Sequence, residues 1–97
     1  MINISRSVGL IIIDGHANYA PHGQDIVCAA VSTLTQVFIT SVEELTPDTV
    51  QSVLADGRAV IRYGNLTEKA QTLLSSFFIG LEMIANAYPN NVQMTKH

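Results

Sequence analysis

The first fourteen residues carry two short apolar stretches. Ile2 and Ile4 alternate with Asn3 and Ser5, the period of two that sets one face of a strand against a core. Residues 8–13, Val-Gly-Leu-Ile-Ile-Ile, are rich in β-branched side chains and too short for a helix. They predict a second strand, with residues 5–9 left to form a tight hairpin turn. Residues 14–24 then break the pattern with Gly15, Pro21 and Gly23 and predict a loop. From Asp25, a good N-cap, the period changes. Val27, Val31, Leu34, Phe38, Val42 and Leu45 recur at spacings of three and four, which predicts an amphipathic helix running to about Glu44. Residues 49–53 fit either a weak strand or a turn of helix. Asp56-Gly57 is a hairpin turn signal ahead of a strand over residues 59–63. Asn65-Leu66-Thr67-Glu68 has capping-box spacing, with Asn65 as the cap and Glu68 reaching back. Behind it a wide apolar stripe runs from Ala70 through Leu73, Phe77, Phe78 and Leu81 to Tyr88 and predicts a second helix, stopped by Pro89. Residues 92–95 add a short last strand. The order ββαββαβ predicts an α+β fold, a mixed β-sheet with two α-helices, and residues 1–97 suffice for a single small domain.

Composition changes this picture in two ways. Apolar residues make up 47% of the chain, enough for a core without covalent staples, whereas charged residues are only 13%. A typical chain is about 25% charged, so apolar surface is left over for a second subunit. A homodimer is expected, through the helix of residues 66–88 or the sheet edge beside it. Net charge is −3, and Arg6, Arg58, Arg62, Lys69 and Lys96 form no basic stripe, so no nucleic-acid partner is expected. Residues 8–13 lack the flanks of a signal peptide, and no uninterrupted apolar run approaches the roughly 20 residues that span a bilayer. The expectation is a cytoplasmic protein with no membrane partner, in which the lone Cys28 stays a free thiol.

The candidate chemistry lies in the loop and the start of the first helix. His16 sits where a predicted strand ends, and Cys28 sits at N3 of the helix if Asp25 caps it. A first-turn sulfur faces unpaired backbone N–H groups and the positive end of the helix dipole, both of which stabilise a thiolate. Helical side chains lean toward the N-terminus, so the sulfur points at the loop that carries His16. An imidazole there can take the thiol proton and later protonate a leaving amine, while first-turn N–H groups hold a developing oxyanion. On the residues alone, this competes with a small core cysteine and a surface histidine. Asp25 either caps the helix or holds the loop and orients His16. Ser32, one turn beyond Cys28, either bonds a carbonyl behind it or supports the loop. Asp14 serves a turn, and Tyr19 and His22 are loop residues within reach of a substrate. The spacing of His16, His22, Asp25 and Cys28 matches no zinc motif, so neither a metal nor any other cofactor is expected.

Gly15-His16-Ala17, followed by Gly23-Gln24-Asp25-Ile26-Val27-Cys28-Ala29-Ala30-Val31-Ser32, resembles the signature of the ribosomal-processing cysteine protease family, Prp. The histidine-to-cysteine spacing fits that family as well. The resemblance implies that His16 and Cys28 are a catalytic dyad, and that Gly15, Ala17, Tyr19, His22 and Gly23 belong to a flexible substrate loop. It further implies an α/β homodimer that removes a short N-terminal extension from the precursor of a large-subunit ribosomal protein, or from a phage structural protein. The hairpin ahead of Gly15 and the 45–65 region are shorter than is usual in the family, departures that bear on the substrate groove and leave the dyad intact. Two other readings use the same residues: a non-catalytic peptide-binding or assembly module, and a hydrolase of small esters or thioesters. Residues 17–24 carry few apolar anchors, so the loop is expected to be a mobile gate that orders when substrate binds.

Overall fold

The computed structural model of the chain describes residues 1–21 and 23–96. Ile2–Ser7 (β1) and Leu10–Asp14 (β2) form an antiparallel hairpin in which Ser7 pairs with Leu10. That register leaves Val8 and Gly9 as a two-residue turn, a geometry that needs positive φ, and Gly9 has φ 76°. Val8, expected to open the second strand, therefore sits fully exposed at the turn. Gln51–Ala55 (β3) and Arg58–Arg62 (β4) form a second antiparallel hairpin, and Val92–Lys96 (β5) runs parallel to β1. The sheet order is β3-β4-β2-β1-β5. The ambiguous segment before Asp56 is thus an edge strand, exposed along its whole length.

Alternation decides which face of the sheet is covered. Ile2, Ile4, Ile11, Ile13 and Ile61 are buried, and the residues between them are not. Against this face pack two twenty-residue helices, Ile26–Leu45 (α1) and Glu68–Ala87 (α2). The helices meet through the stacked rings of Phe38 and Phe77, 4.8 Å apart. On α1 the inward row is Val27, Val31, Thr35, Phe38 and Val42. Thr35 is tolerated there because its hydroxyl donates to the Val31 carbonyl at 2.8 Å. Leu45, expected on that row, is the last residue of α1 and is exposed. By length and mean hydropathy α1 matches a membrane span, contrary to the expectation from sequence, but its apolar row is spent on this core.

The second helix starts later than its capping-box spacing predicts. Thr67, not Asn65, is the N-cap, and its hydroxyl accepts from Ala70 N–H at 3.4 Å. Asp48 fixes the choice from outside the helix: its Oδ2 accepts from both the Thr67 N–H and the Thr67 hydroxyl, at 2.8 and 2.7 Å. Phe77, Phe78 and Leu81 of α2 face the chain's own core, so the broad apolar stripe is largely satisfied within one subunit.

Leu81 has no exposed surface and is among the largest fully buried side chains. Leu81→Ala is expected to cost about 2–5 kcal/mol, seen as a lower urea midpoint with an unchanged slope. Wild-type stability in this variant would mean that α2 does not close the core.

Candidate active site

Asp25 is the N-cap of α1, with φ −85° and ψ 100°. Its Oδ1 accepts from the N–H groups of Val27 and Cys28, both at 3.0 Å. Its Oδ2 accepts from Tyr19 N–H at 2.9 Å and Ala20 N–H at 3.3 Å. The two roles open in the sequence, helix cap and loop anchor, are both filled, one by each oxygen. Among the described residues neither oxygen bonds the His16 ring. The bond from Cys28 N–H is the largest cause holding this carboxyl below its ordinary pKa of 3.8; desolvation opposes it, and the other three N–H groups add to it. One expectation is corrected here. Val27 and Cys28 N–H already serve Asp25, so they are not the free oxyanion donors that an uncapped helix start would offer.

Cys28 is half-buried at the edge of the core, and its sulfur accepts a hydrogen bond from Ala17 N–H at 3.3 Å. The residues flanking this contact are tied down on every side. Ala17 itself is buried, and its carbonyl accepts from Asn91 Nδ2 at 2.9 Å. The His16 carbonyl accepts from the Met1 nitrogen at 2.5 Å, and Gly15 N–H donates to the Gly57 carbonyl at 2.8 Å. Gly15 has φ 104°, and a Cβ there would run into the Met1 carbonyl, so only glycine leads cleanly into His16. Gly57, at the β3–β4 turn with φ 72°, lies against the imidazole; a Cβ on it would stand 2.7 Å from His16 Nε2. The hairpin tip is the floor under the ring.

His16, Cys28, Gly15, Gly23, Asp25 and Ser32 all line one cleft of about 480 Å³, walled on its far side by Leu54 and the residues of the β3–β4 turn. An exposed ion pair between Arg58 and Asp14, 3.2 Å long, stands on this β2–β4 side. Ser32 is exposed and makes neither of its two expected bonds among the described residues. Ala17 and Tyr19 do not line the cleft. Ala17 works through its backbone, and the Tyr19 ring packs edge-on against Tyr88, with centroids 5.3 Å apart. His22 lies outside the described residues. The loop is held by bonds at Ala17, Tyr19, Ala20 and Gln24, more attachments than its polar composition suggests, because backbone groups supply most of them. Three residues at or behind the cleft escape the sequence reading. Asp56-Gly57 reads only as a turn, and Asn91, 74 positions from Ala17, carries no signal that links it to the loop.

A carboxyl with a depressed folded-state pKa contributes its full stability above the unfolded value and loses it as pH falls through the folded one. The Asp25 contribution is therefore complete at neutral pH and is lost on acidification below about 3.8. Asp25→Ala should remove that share of the acid dependence, lower Tm at pH 7 and speed amide exchange at Tyr19 and Ala20. Unchanged exchange at those two amides would contradict the anchor role.

Comparison with known proteins gives the family and the fold. The family described as cysteine protease Prp matches residues 1–93. The ribosomal processing cysteine protease Prp of Mycoplasma genitalium is 30% identical over 96 residues, covering 95% of this chain and 92% of its own. The Bacillus subtilis protein of the same name is 32% identical over 105 aligned positions, covering 97% of this chain and 92% of its own. The crystal structure of the Staphylococcus aureus ribosomal processing protease Prp with a covalently linked product peptide superposes with a TM-score of 0.94 at 26% identity, over 100% of both chains. With the family matched over nearly the whole length and the fold reproduced, this chain belongs to the Prp family of cysteine proteases.

Proposed function

We propose that Cys28 is the nucleophile and His16 the general base and acid of an endopeptidase that removes a short N-terminal extension from the precursor of a large-subunit ribosomal protein. The observation that carries this reading is simple. The family is one of cysteine proteases, Cys28 is the chain's one cysteine, and it opens onto the same cleft as His16. His16 takes the thiol proton as the sulfur attacks the scissile carbonyl, and returns it to the leaving amine as the C–N bond breaks. Water then hydrolyses the acyl-enzyme, with His16 as base, and frees the cysteine. A cleft of about 480 Å³, lined from the end of β2, the start of α1 and the β3–β4 hairpin, has room for a peptide segment. A peptide substrate is also supported by the product peptide linked to the Staphylococcus aureus relative. The ribosomal target is supported by the names of the relatives, and a cytoplasmic enzyme belongs to the same proposal, because ribosomal precursors are made there.

A homodimer remains part of the proposal, through the outer face of α2. Ile79 and Met83, one turn apart, are 59% and 67% exposed there, whereas Phe77, Phe78 and Leu81 are used inside the subunit. Sedimentation at micromolar concentration is expected to give twice the chain mass, and a monomer would remove the dimer from the reading.

Cys28→Ala and Cys28→Ser should each abolish cleavage of a peptide spanning such an extension, and His16→Ala should slow it by roughly 10²–10⁴-fold. All three variants are expected to melt within a few degrees of the unsubstituted protein, since each change removes few buried atoms. Full activity in Cys28→Ala would end the proposed mechanism. Cleavage of phage structural peptides alone would keep the mechanism and overturn the ribosomal target.

A further inference from the structure

We propose that Asn91 is a positioning residue of the active site, holding Ala17 so that its N–H points at the Cys28 sulfur; this rests on Cys28 being the nucleophile. Ala17 hangs between two bonds. Its N–H reaches Cys28 Sγ at 3.3 Å and its carbonyl receives Asn91 Nδ2 at 2.9 Å, while only 1% of the residue is exposed. The next residue, Asn18, has φ 55°, the left-handed region that a non-glycine residue occupies at a cost. Rotating the 17–18 peptide would relax Asn18 and turn the Ala17 carbonyl away, and the bond from Asn91 opposes that rotation. Asn91 is a stiff support. Its own N–H donates to the Tyr88 carbonyl at 2.9 Å, and its carbonyl accepts from Ile2 N–H at 2.8 Å, tying the α2–β5 turn to the first strand. The same turn also holds the loop through the Tyr88 ring against Tyr19. A side-chain amide suits the task because it donates to a carbonyl without adding charge beside Cys28 and Asp25.

The test uses Asn91→Asp, which keeps the size but as a carboxylate cannot donate, and Asn91→Ala. Three quantities are read: kcat and KM on the peptide substrate, iodoacetamide alkylation of Cys28 against pH, and the Ala17 amide signal by NMR. The expected result is a kcat lower by roughly tenfold or more with KM little changed, a displaced alkylation profile and a shifted Ala17 amide. Wild-type kcat with an unmoved profile in folded Asn91→Asp, alongside an inactive Cys28→Ala, would overturn the role of Asn91 alone. Activity in Cys28→Ala would instead remove the reading beneath it. Should both Asn91 variants fail to fold, the unsubstituted protein decides: slow exchange of the Asn91 side-chain amide supports the bond to Ala17, and exchange as fast as that of exposed Asn90 overturns it.

Discussion

Four backbone N–H groups converge on one carboxylate, and the geometry of the site follows from that convergence. Asp25 satisfies the start of α1 with one oxygen and the incoming loop with the other. A helix start leaves its first N–H groups without partners, and a polar loop has little apolar surface to hold it. A single ion solves both problems, and in doing so fixes the distance between the loop and the first turn. Cys28 stands in that turn, and Ala17 stands in that loop. The cap thereby brings Ala17 N–H within hydrogen-bond reach of the sulfur. The arrangement also has a chemical cost. The carboxylate occupies the N–H groups of Val27 and Cys28, so the helix start does not supply a free oxyanion hole at those positions.

The sheet supplies the rest of the frame through its strand order. Because β2 lies between β1 and β4, the end of β2 is flanked by the N-terminal strand on one side and the second hairpin on the other. Residues 15–17 leave β2 at that point and are gripped from both sides, by Met1 through the His16 carbonyl and by Gly57 through the Gly15 N–H. The parallel pairing of β5 with β1 then carries the turn after α2 to the same end of the sheet, where Asn91 meets Ala17. Short connections from three parts of the chain thus meet around residues 15–17. The exposed edge strand of the second hairpin, through Leu54 and Ala55, lines the cleft.

This frame adds attachments to the loop that its composition does not show. Composition sees few apolar side chains in residues 17–24 and predicts weak anchoring, but the attachments are made by backbone N–H groups, by a carbonyl, and by Tyr19 against Tyr88. Hydrogen bonds of this kind leave no periodicity in the sequence.

Local patterns determined the elements. Alternation named Ile2 and Ile4 for the core, a short β-branched run named the second strand, and three-and-four spacing named Val27, Val31, Phe38 and Val42; these assignments hold because burial repeats with the geometry of the element. Asp25 as a cap and Asp56-Gly57 as a turn were equally legible, since each depends on residues within a few positions. The string from Gly15 to Ser32 was enough to point to the family that the comparisons then established. The tertiary structure decided whatever required partners distant in the chain. Thr67 is the cap of α2 because Asp48 reaches it across nineteen positions, and Gly57 is the floor under His16 because β4 pairs with β2. Asn91 meets Ala17 only because β5 pairs with β1. A turn residue looks the same in sequence whether it faces solvent or the His16 ring, and only the packing of the sheet separates the two.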